Sequence, residues 1–268
     1  MKRSLLYGVS LAGIALCAPL RSAELSGYAG LGVAVSPVYS GSQHYAPGPL
    51  LKGGLSLKSK DYGQWDLSTE GLAWTYSPDA PFAVSLLLAS DEGRKETVNY
   101  PFSARKNRDL QGMGDMSDML MAGAEMRYHR EDWTIWLRAL SATQKHRYGG
   151  ETQPQARTVN SGVKSTLWRG QDVEFSVAGD ITWANGGYQQ RHYGVTANQS
   201  QRTGFEAYSP SSGLQEAGVD SELVWHISEN LAAGVAGRAA CLIDEAGQSP
   251  LVKSRIQYTL SSMIQYEF

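Results

Sequence analysis

Five histidines lie along the 268-residue chain, and two of them have neighbours with which they could do chemistry. His226-Ile227-Ser228 puts an imidazole and a hydroxyl on one face of an extended segment. A base next to a serine is what nucleophilic catalysis needs. His192 and Tyr193 share a polar stretch with Arg191, Arg202, Glu206 and Tyr208. That group could bind a ligand or fold over an opening. Met113, Met116, Met119 and Met121 offer thioethers of the kind that hold Cu(I). Each has a plainer reading: a polar pair ending a strand, a loop packed on itself, methionines filling gaps in an apolar cluster. There is no phosphate-cradling Gly loop, no zinc-ligand spacing and no nucleophile elbow. The expectation is a protein without catalysis, cofactor or metal.

The elements that would position these groups are set by composition and termini. Formal net charge is -2, which gives no support to nucleic-acid binding. The mean hydropathy of -0.32 resembles that of a soluble protein. It misleads where strands alternate between apolar and polar faces, because the two average out. Lys2 and Arg3 precede an apolar stretch from Leu5 to Leu20, and Arg21-Ser22-Ala23 follows. This predicts a secretory signal peptide over residues 1–23 and a mature domain over 24–268. Leu16 before Cys17 is too large for a lipoprotein cleavage site. The mature chain keeps only Cys241, so it can form no internal disulfide. No later apolar run reaches the ~18 residues of a spanning helix.

Alternation then decides the fold. Ile256, Tyr258, Leu260, Ser262, Ile264, Tyr266 and Phe268 share one face, and Arg255, Gln257, Thr259, Ser261, Gln265 and Glu267 share the other. The same period recurs from Leu25 to Val35, Leu51 to Leu57, Val84 to Leu88, Leu120 to Tyr128, Trp133 to Ala139, Val159 to Leu167, Val173 to Trp183, Ala217 to Trp225 and Leu231 to Ala239. Trp133, Trp168, Trp183, Trp225, Tyr258 and Tyr266 stand at strand ends, as in interfacial girdles. Short connections (His129 to Asp132, Arg169 to Asp172, Ile227 to Asn230) alternate with long ones (Asp91 to Asp118, Ser141 to Gln155, Ala184 to Gly213, Ile243 to Lys253). The pattern predicts an all-β, transmembrane, antiparallel up-and-down barrel in the outer membrane. Its short turns face the periplasm and its long loops face outward.

The strand count turns on residues 64–76. Trp65 and Leu67 are apolar at odd positions, whereas Leu72, Trp74 and Tyr76 are apolar at even ones. A one-residue phase change requires a turn or a bulge. A turn at Thr69-Glu70-Gly71 gives twelve strands and a bulge gives ten; twelve is preferred. Inward positions carry both signs of charge: Glu125, Arg127, Arg138, Lys164, Glu174, Asp180, Glu222, Arg238 and Arg255. Such groups are expected to pair and fill the lumen, the alternative being a narrow pore for small solutes. None of the long loops has the composition of a plug.

Several motifs carry a family resemblance. His192-Tyr193-Gly194-Val195-Thr196 is similar to the aromatic-Tyr-Gly-Val-Ser/Thr loop of the MipA/OmpV outer-membrane proteins. Arg202-Thr203-Gly204, then Tyr208-Ser209-Pro210, and Ser249-Pro250-Leu251-Val252 resemble further elements in the same order. Pro37 to Gly41 and Leu110 to Asp115 are weaker matches. The resemblance implies a scaffold that links a lytic murein transglycosylase to a bifunctional penicillin-binding protein, or a surface antigen or adhesin. The end of the closing strand, with Ile264, Tyr266 and Phe268 outward, also resembles the signal read by the barrel-assembly machinery. The lipid bilayer and that machinery are therefore expected partners.

Overall fold

The computed structural model describes residues 23–100 and 104–268. The expected signal peptide, apart from Ala23, lies outside them. Twelve strands form one closed barrel: β1 (Ala23–Pro37), β2 (Tyr45–Ser59), β3 (Gly63–Ser68), β4 (Gly71–Tyr76), β5 (Phe82–Asp91), β8 (Met119–Arg130), β9 (Trp133–Ala142), β12 (Arg157–Arg169), β13 (Val173–Ala184), β14 (Gly213–His226), β15 (Leu231–Leu242) and β16 (Ile256–Glu267). Two small ribbons decorate the loops: β6 (Val98–Asn99) with β7 (Lys106–Asn107), and β10 (Arg147–Tyr148) with β11 (Glu151–Thr152). Helices α1 (Gly186–Tyr193) and α2 (Ala197–Thr203) lie in the β13–β14 connection and α3 (Asp244–Gln248) in the β15–β16 connection.

Each strand pairs antiparallel with its predecessor and successor in the barrel, and β1 meets β16 to close it. The closing seam has Leu31 opposite Ile264 and Val35 opposite Leu260. Gly27 and Phe268 exchange reciprocal backbone bonds of 2.8 and 2.9 Å. The outward face of every strand is apolar and exposed, from Leu25, Leu31 and Leu51 to Val219, Leu260 and Ile264. A soluble protein would not leave such a continuous apolar belt in water. It is the lipid-facing surface of an outer-membrane barrel.

Two details of the register modify the expected pattern. The phase change between Leu67 and Leu72 is a tight turn, so the count is twelve. The strands on either side of that turn have only six residues each, unlike the long strands elsewhere. In β12 the register shifts between Thr166 and Trp168. The bulge leaves both Leu167 and Trp168 exposed, where strict alternation would turn one of them inward.

Candidate functional site

Two groups of side chains meet the description of a site: a cap of loops across one mouth and the charges inside the lumen. The cap is built from the ends of strands. Asn185 precedes α1, and its Oδ1 accepts from the Tyr188 backbone N–H at 3.0 Å, satisfying a free donor of the first turn. The same oxygen accepts from Arg157 N–H of β12 at 2.8 Å, which fixes the helix against the wall. α1 then aims three side chains at one carboxylate. Tyr188 Oη donates to Asp91 Oδ1 at 2.8 Å, His192 Nε2 lies 3.0 Å from Asp91 Oδ2, and Arg191 Nε lies 3.5 Å from the same oxygen. The Tyr188 and His192 rings are stacked, with centroids 4.4 Å apart.

Tyr193 ends the helix fully buried. Its hydroxyl lies 2.9 Å from Ser40 Oγ and accepts from Gln215 Nε2 at 3.2 Å, and its carbonyl accepts from Ser249 Oγ at 2.6 Å. Burial pushes its phenol up to about 12. Gly194 is required because a Cβ there would overlap the folded-back side chain and carbonyl of Gln190. Val195 pairs with Tyr208 through two backbone bonds of 2.8 and 2.9 Å. Thr196 caps α2 in a reciprocal capping box with Gln199, and Gly204 ends α2 in the left-handed conformation at φ +76°. Tyr208 Oη donates to Glu245 O at 2.8 Å. Arg202 is the exception. Its Nε reaches only Asn198 O of its own helix, at the exposed surface.

Residues from four connections share one buried apolar cluster: Tyr39, Leu110, Met113, Val195 and Leu251, with Tyr208 packed against it. Each lies in one of the motif segments read from the sequence. Arg94 joins a fifth connection, donating to His192 O and, at 3.2 Å, to Tyr148 Oη. These strands stand around the rim, so their loops can meet only across the mouth. The long loops thus form a lid together, although none has the composition of a plug alone. The methionines belong to the packing. Met113 lies in this cluster, Met119 and Met121 lie in another with Ala142 and Ala156, and Met116 is buried. Among the described residues, no group of three His, Cys, Asp or Glu could hold a metal ion. His226 and Ser228 lie at the β14–β15 turn, each bonded through its backbone: His226 N–H to Asp172 O, Ser228 N–H to Leu231 O.

The lumen charges fall into separate clusters. Glu125, 3% exposed, sits between Arg127 at 2.7 Å and Arg138 at 2.6 Å. Lys164 pairs with Glu222 at 3.0 Å. Arg238 gathers Asp180, Asp220 and Glu216 at 2.8, 2.6 and 2.7 Å. Its guanidinium lies over Gly218, where any Cβ would overlap it. Glu174 is nearer the turn rim and pairs with Arg169 at 2.9 Å. Arg255 does not join the lumen charges. It precedes β16, so strand alternation no longer sets its direction, and its Nε donates to Gly247 O at 2.8 Å.

The convergence of these dispersed loop motifs on one lid is matched by a whole-chain comparison. Residues 29–268 fit the family model described as MltA-interacting protein MipA. The chain belongs to the MipA family. A search of curated proteins gave no match. Among solved structures, the NanC porin is 9% identical with a TM-score of 0.43, covering 91% of this chain and 99% of that one. The translocator domain of the autotransporter NalP from Neisseria meningitidis is 8% identical with a TM-score of 0.47, covering 91% and 88%. The outer membrane channel DcaP of Acinetobacter baumannii is 8% identical with a TM-score of 0.41, covering 92% and 97%.

Sequence reasoning missed the hub of the cap. Asp91 looks like an ordinary strand end, and a lone aspartate gives no signal of the Tyr188, Arg191 and His192 side chains that converge on it. Asn185 and Gln199 were legible in principle, because each stands at or near a helix start in a capping pattern.

Proposed function

We propose that this MipA-family barrel is a non-enzymatic scaffold of the cell envelope. It would hold a lytic murein transglycosylase near a bifunctional penicillin-binding protein, coupling peptidoglycan hydrolysis to synthesis. Membership of a family described by its interaction with MltA carries this reading. The partners work in the periplasm, so the contact belongs to the turn rim and not to the lid. Arg169 supports a docking ledge there. It bridges Asp132 of the β8–β9 turn at 3.2 Å and Glu174 of β13 at 2.9 Å, which joins neighbouring turns into one charged surface. Ile264, Tyr266 and Phe268 point outward and are exposed, as recognition by the barrel-assembly machinery during insertion requires.

The purified barrel should enrich a murein transglycosylase over an unrelated barrel in a pull-down, and Arg169→Glu should weaken that enrichment. Equal recovery on both barrels would reject the scaffold. A pore reading competes, and it predicts stepwise conductance in planar bilayers. The lid across the mouth and the three arginine- and lysine-centred clusters in the lumen favour a silent barrel instead. A surface antigen or adhesin would use the exposed side of the same lid, where Arg202 and Glu206 are exposed charges.

A further inference from the structure

The barrel wall is incomplete beside β2. The β3–β4 hairpin pairs with β2 only from Gly54 to Ser59, and Thr69 N–H reaches Gly53 O at 2.9 Å. Above Gly53, β2 continues to Tyr45, paired throughout with β1. Among the described residues, no strand pairs with Tyr45–Gly53 on the other side.

Backbone parity shows that the sequence is adapted to this open edge. The Gly27–Phe268 bonds turn the odd residues of β1 toward β16, so its even residues face β2. The even residues of β2 answer them, as Leu50 opposite Gly32 and Gly48 opposite Ala34. The odd residues of β2 therefore direct their backbone groups at the gap, as the Gly53 carbonyl does. Pro47 and Pro49 are both odd. Proline has no N–H, so it is tolerated where a strand has no neighbour. Both prolines stand where a missing donor costs nothing.

The gap lies at lipid depth. Leu51, Leu31 and Val33 beside it are exposed members of the apolar belt. Unpaired strand backbone at that depth is tolerated only where it lines protein or a water-filled cavity. A lumen cavity of about 1140 Å³ does reach the hairpin tip, touching Glu70, Gly71 and Leu72. Lys52 and Glu70 span the lower corner of the gap at 3.2 Å, and His44 and Asp109 join the loops above it at 2.9 Å. A Cβ on Gly48, whose position faces inward, would meet nothing within 4 Å.

The lumen behind the gap is divided. The near wall presents Ala73, Leu87 and Ala89 beside Asp66, Thr75 and Ser85, whereas Arg127 and Arg138 face the cavity around Glu125 and Arg238 is held by its own carboxylates. Within this cluster around Glu125 two guanidiniums share one carboxylate, a local excess of one positive charge although the cavity as a whole also has acidic lining residues. Glu125 is four residues along β8 from Met121, which pairs with Ala89 at the level of the gap. At roughly 3.3 Å per residue the cationic step lies about 13 Å below the opening. The lid obstructs the direct route from outside.

We propose that the gap is a lateral window to the outer leaflet. Through it the lumen takes up a single-chain amphiphile with an anionic head, such as a fatty acid. The carboxylate sits against Arg127 and Arg138, and the chain runs up the small-residue wall and out past Leu51 and Leu72. The cavity volume slightly exceeds what ordinary ligand pockets offer, roughly 300–1,000 Å³. The amphiphile comes from the membrane, because the opening's rim is apolar and faces the lipid.

The full chain in phospholipid nanodiscs, titrated with the fluorescent fatty acid cis-parinaric acid, tests this. Saturable binding beyond that of empty nanodiscs is expected. It should weaken at least tenfold in A73F/A89F, which fills the near wall, and for the methyl ester of the same probe, which lacks the charge. Heat-modifiable mobility on a gel confirms that each variant is folded, and L87W serves should the double variant fail that check. No saturable binding to the wild-type barrel would overturn the proposal. So would unchanged binding by a folded, filled variant or equal binding of acid and ester. None of these outcomes bears on the scaffold reading, which is tested at the opposite rim.

Discussion

The two sides of this barrel are built differently. From β12 to β16 the strands have 12 to 14 residues, the lumen face carries charges, and the two long connections fold into helices. From β3 to β5 the strands have 6 to 10 residues, the lumen face is small, and the β3–β4 connection is a tight turn. The first side is held together by side chains that cross from strand to strand. The second has smaller links, such as Ser56 with Asp66 and Thr75 with Ser85, and it is where pairing stops short. The contrast teaches that a closed barrel can concentrate its rigidity in one arc and leave another arc thin.

The largest test of this contrast is Glu125, at the junction of the two sides. Glu125→Gln removes the buried charge that two half-exposed arginines share, and each hydrogen bond to a charged group contributes about 1.5–3 kcal/mol. Urea unfolding of the barrel in lipid vesicles should show that loss. A much smaller loss would mean that the charged arc does not carry the stability.

The lid's dependence on Tyr193 can be tested with pH. Its phenol titrates at about 12 in the fold, against an ordinary value of 10.0. The fold favours the neutral form, so this contribution is complete below pH 10 and is lost as pH rises through 12. At about 1.36 kcal/mol per pKa unit, the loss is on the order of 2–3 kcal/mol. Limited proteolysis should cut the loops faster above pH 10 in the wild type, while Tyr193→Phe should reduce that pH dependence, leaving the part due to Tyr39 and Tyr188, whose phenols burial also raises. Gly194→Ala forces the Gln190 side chain out of its place, an overpacking worth about 1–3 kcal/mol. Its loops should be cleaved faster at neutral pH with the barrel still folded. The smallest effect belongs to the thin side. Lys52→Ala removes an exposed pair worth about 0–1 kcal/mol. Thermal stability should barely change, whereas on the charged arc Arg238→Ala strands three carboxylates and should be felt clearly.

The same contrast explains what the sequence revealed. Alternation from Ala217 to Trp225 or from Ile256 to Phe268 is unambiguous, because a long strand repeats its face several times. Residues 64–76 offer only a few residues per strand, so the turn appeared as a change of phase and left ten and twelve strands both open. The lumen charges were legible because they fall on inward positions. Arg255 misled because it lies one residue before the strand, where alternation has no hold. The cap motif was recognisable residue by residue, but its meeting with Tyr39, Leu110 and Leu251 depends on loop paths that no periodicity encodes. The open edge was hidden for a related reason. Pro47 and Pro49 read as ordinary punctuation until the hydrogen-bond parity of β2 is known.

The seam between Gly27 and Phe268 has a kinetic side as well. It joins residues from nearly opposite ends of the sequence, so it is among the last contacts that a chain leaving the translocation channel can make. Pairings this distant in sequence are slow to form, since the loop entropy must be overcome before any contact rewards it. During that delay β1 and β16 both expose unpaired backbone and an apolar face. Such an intermediate is prone to stick to its own kind. Closure of the ring is the step that ends this exposure.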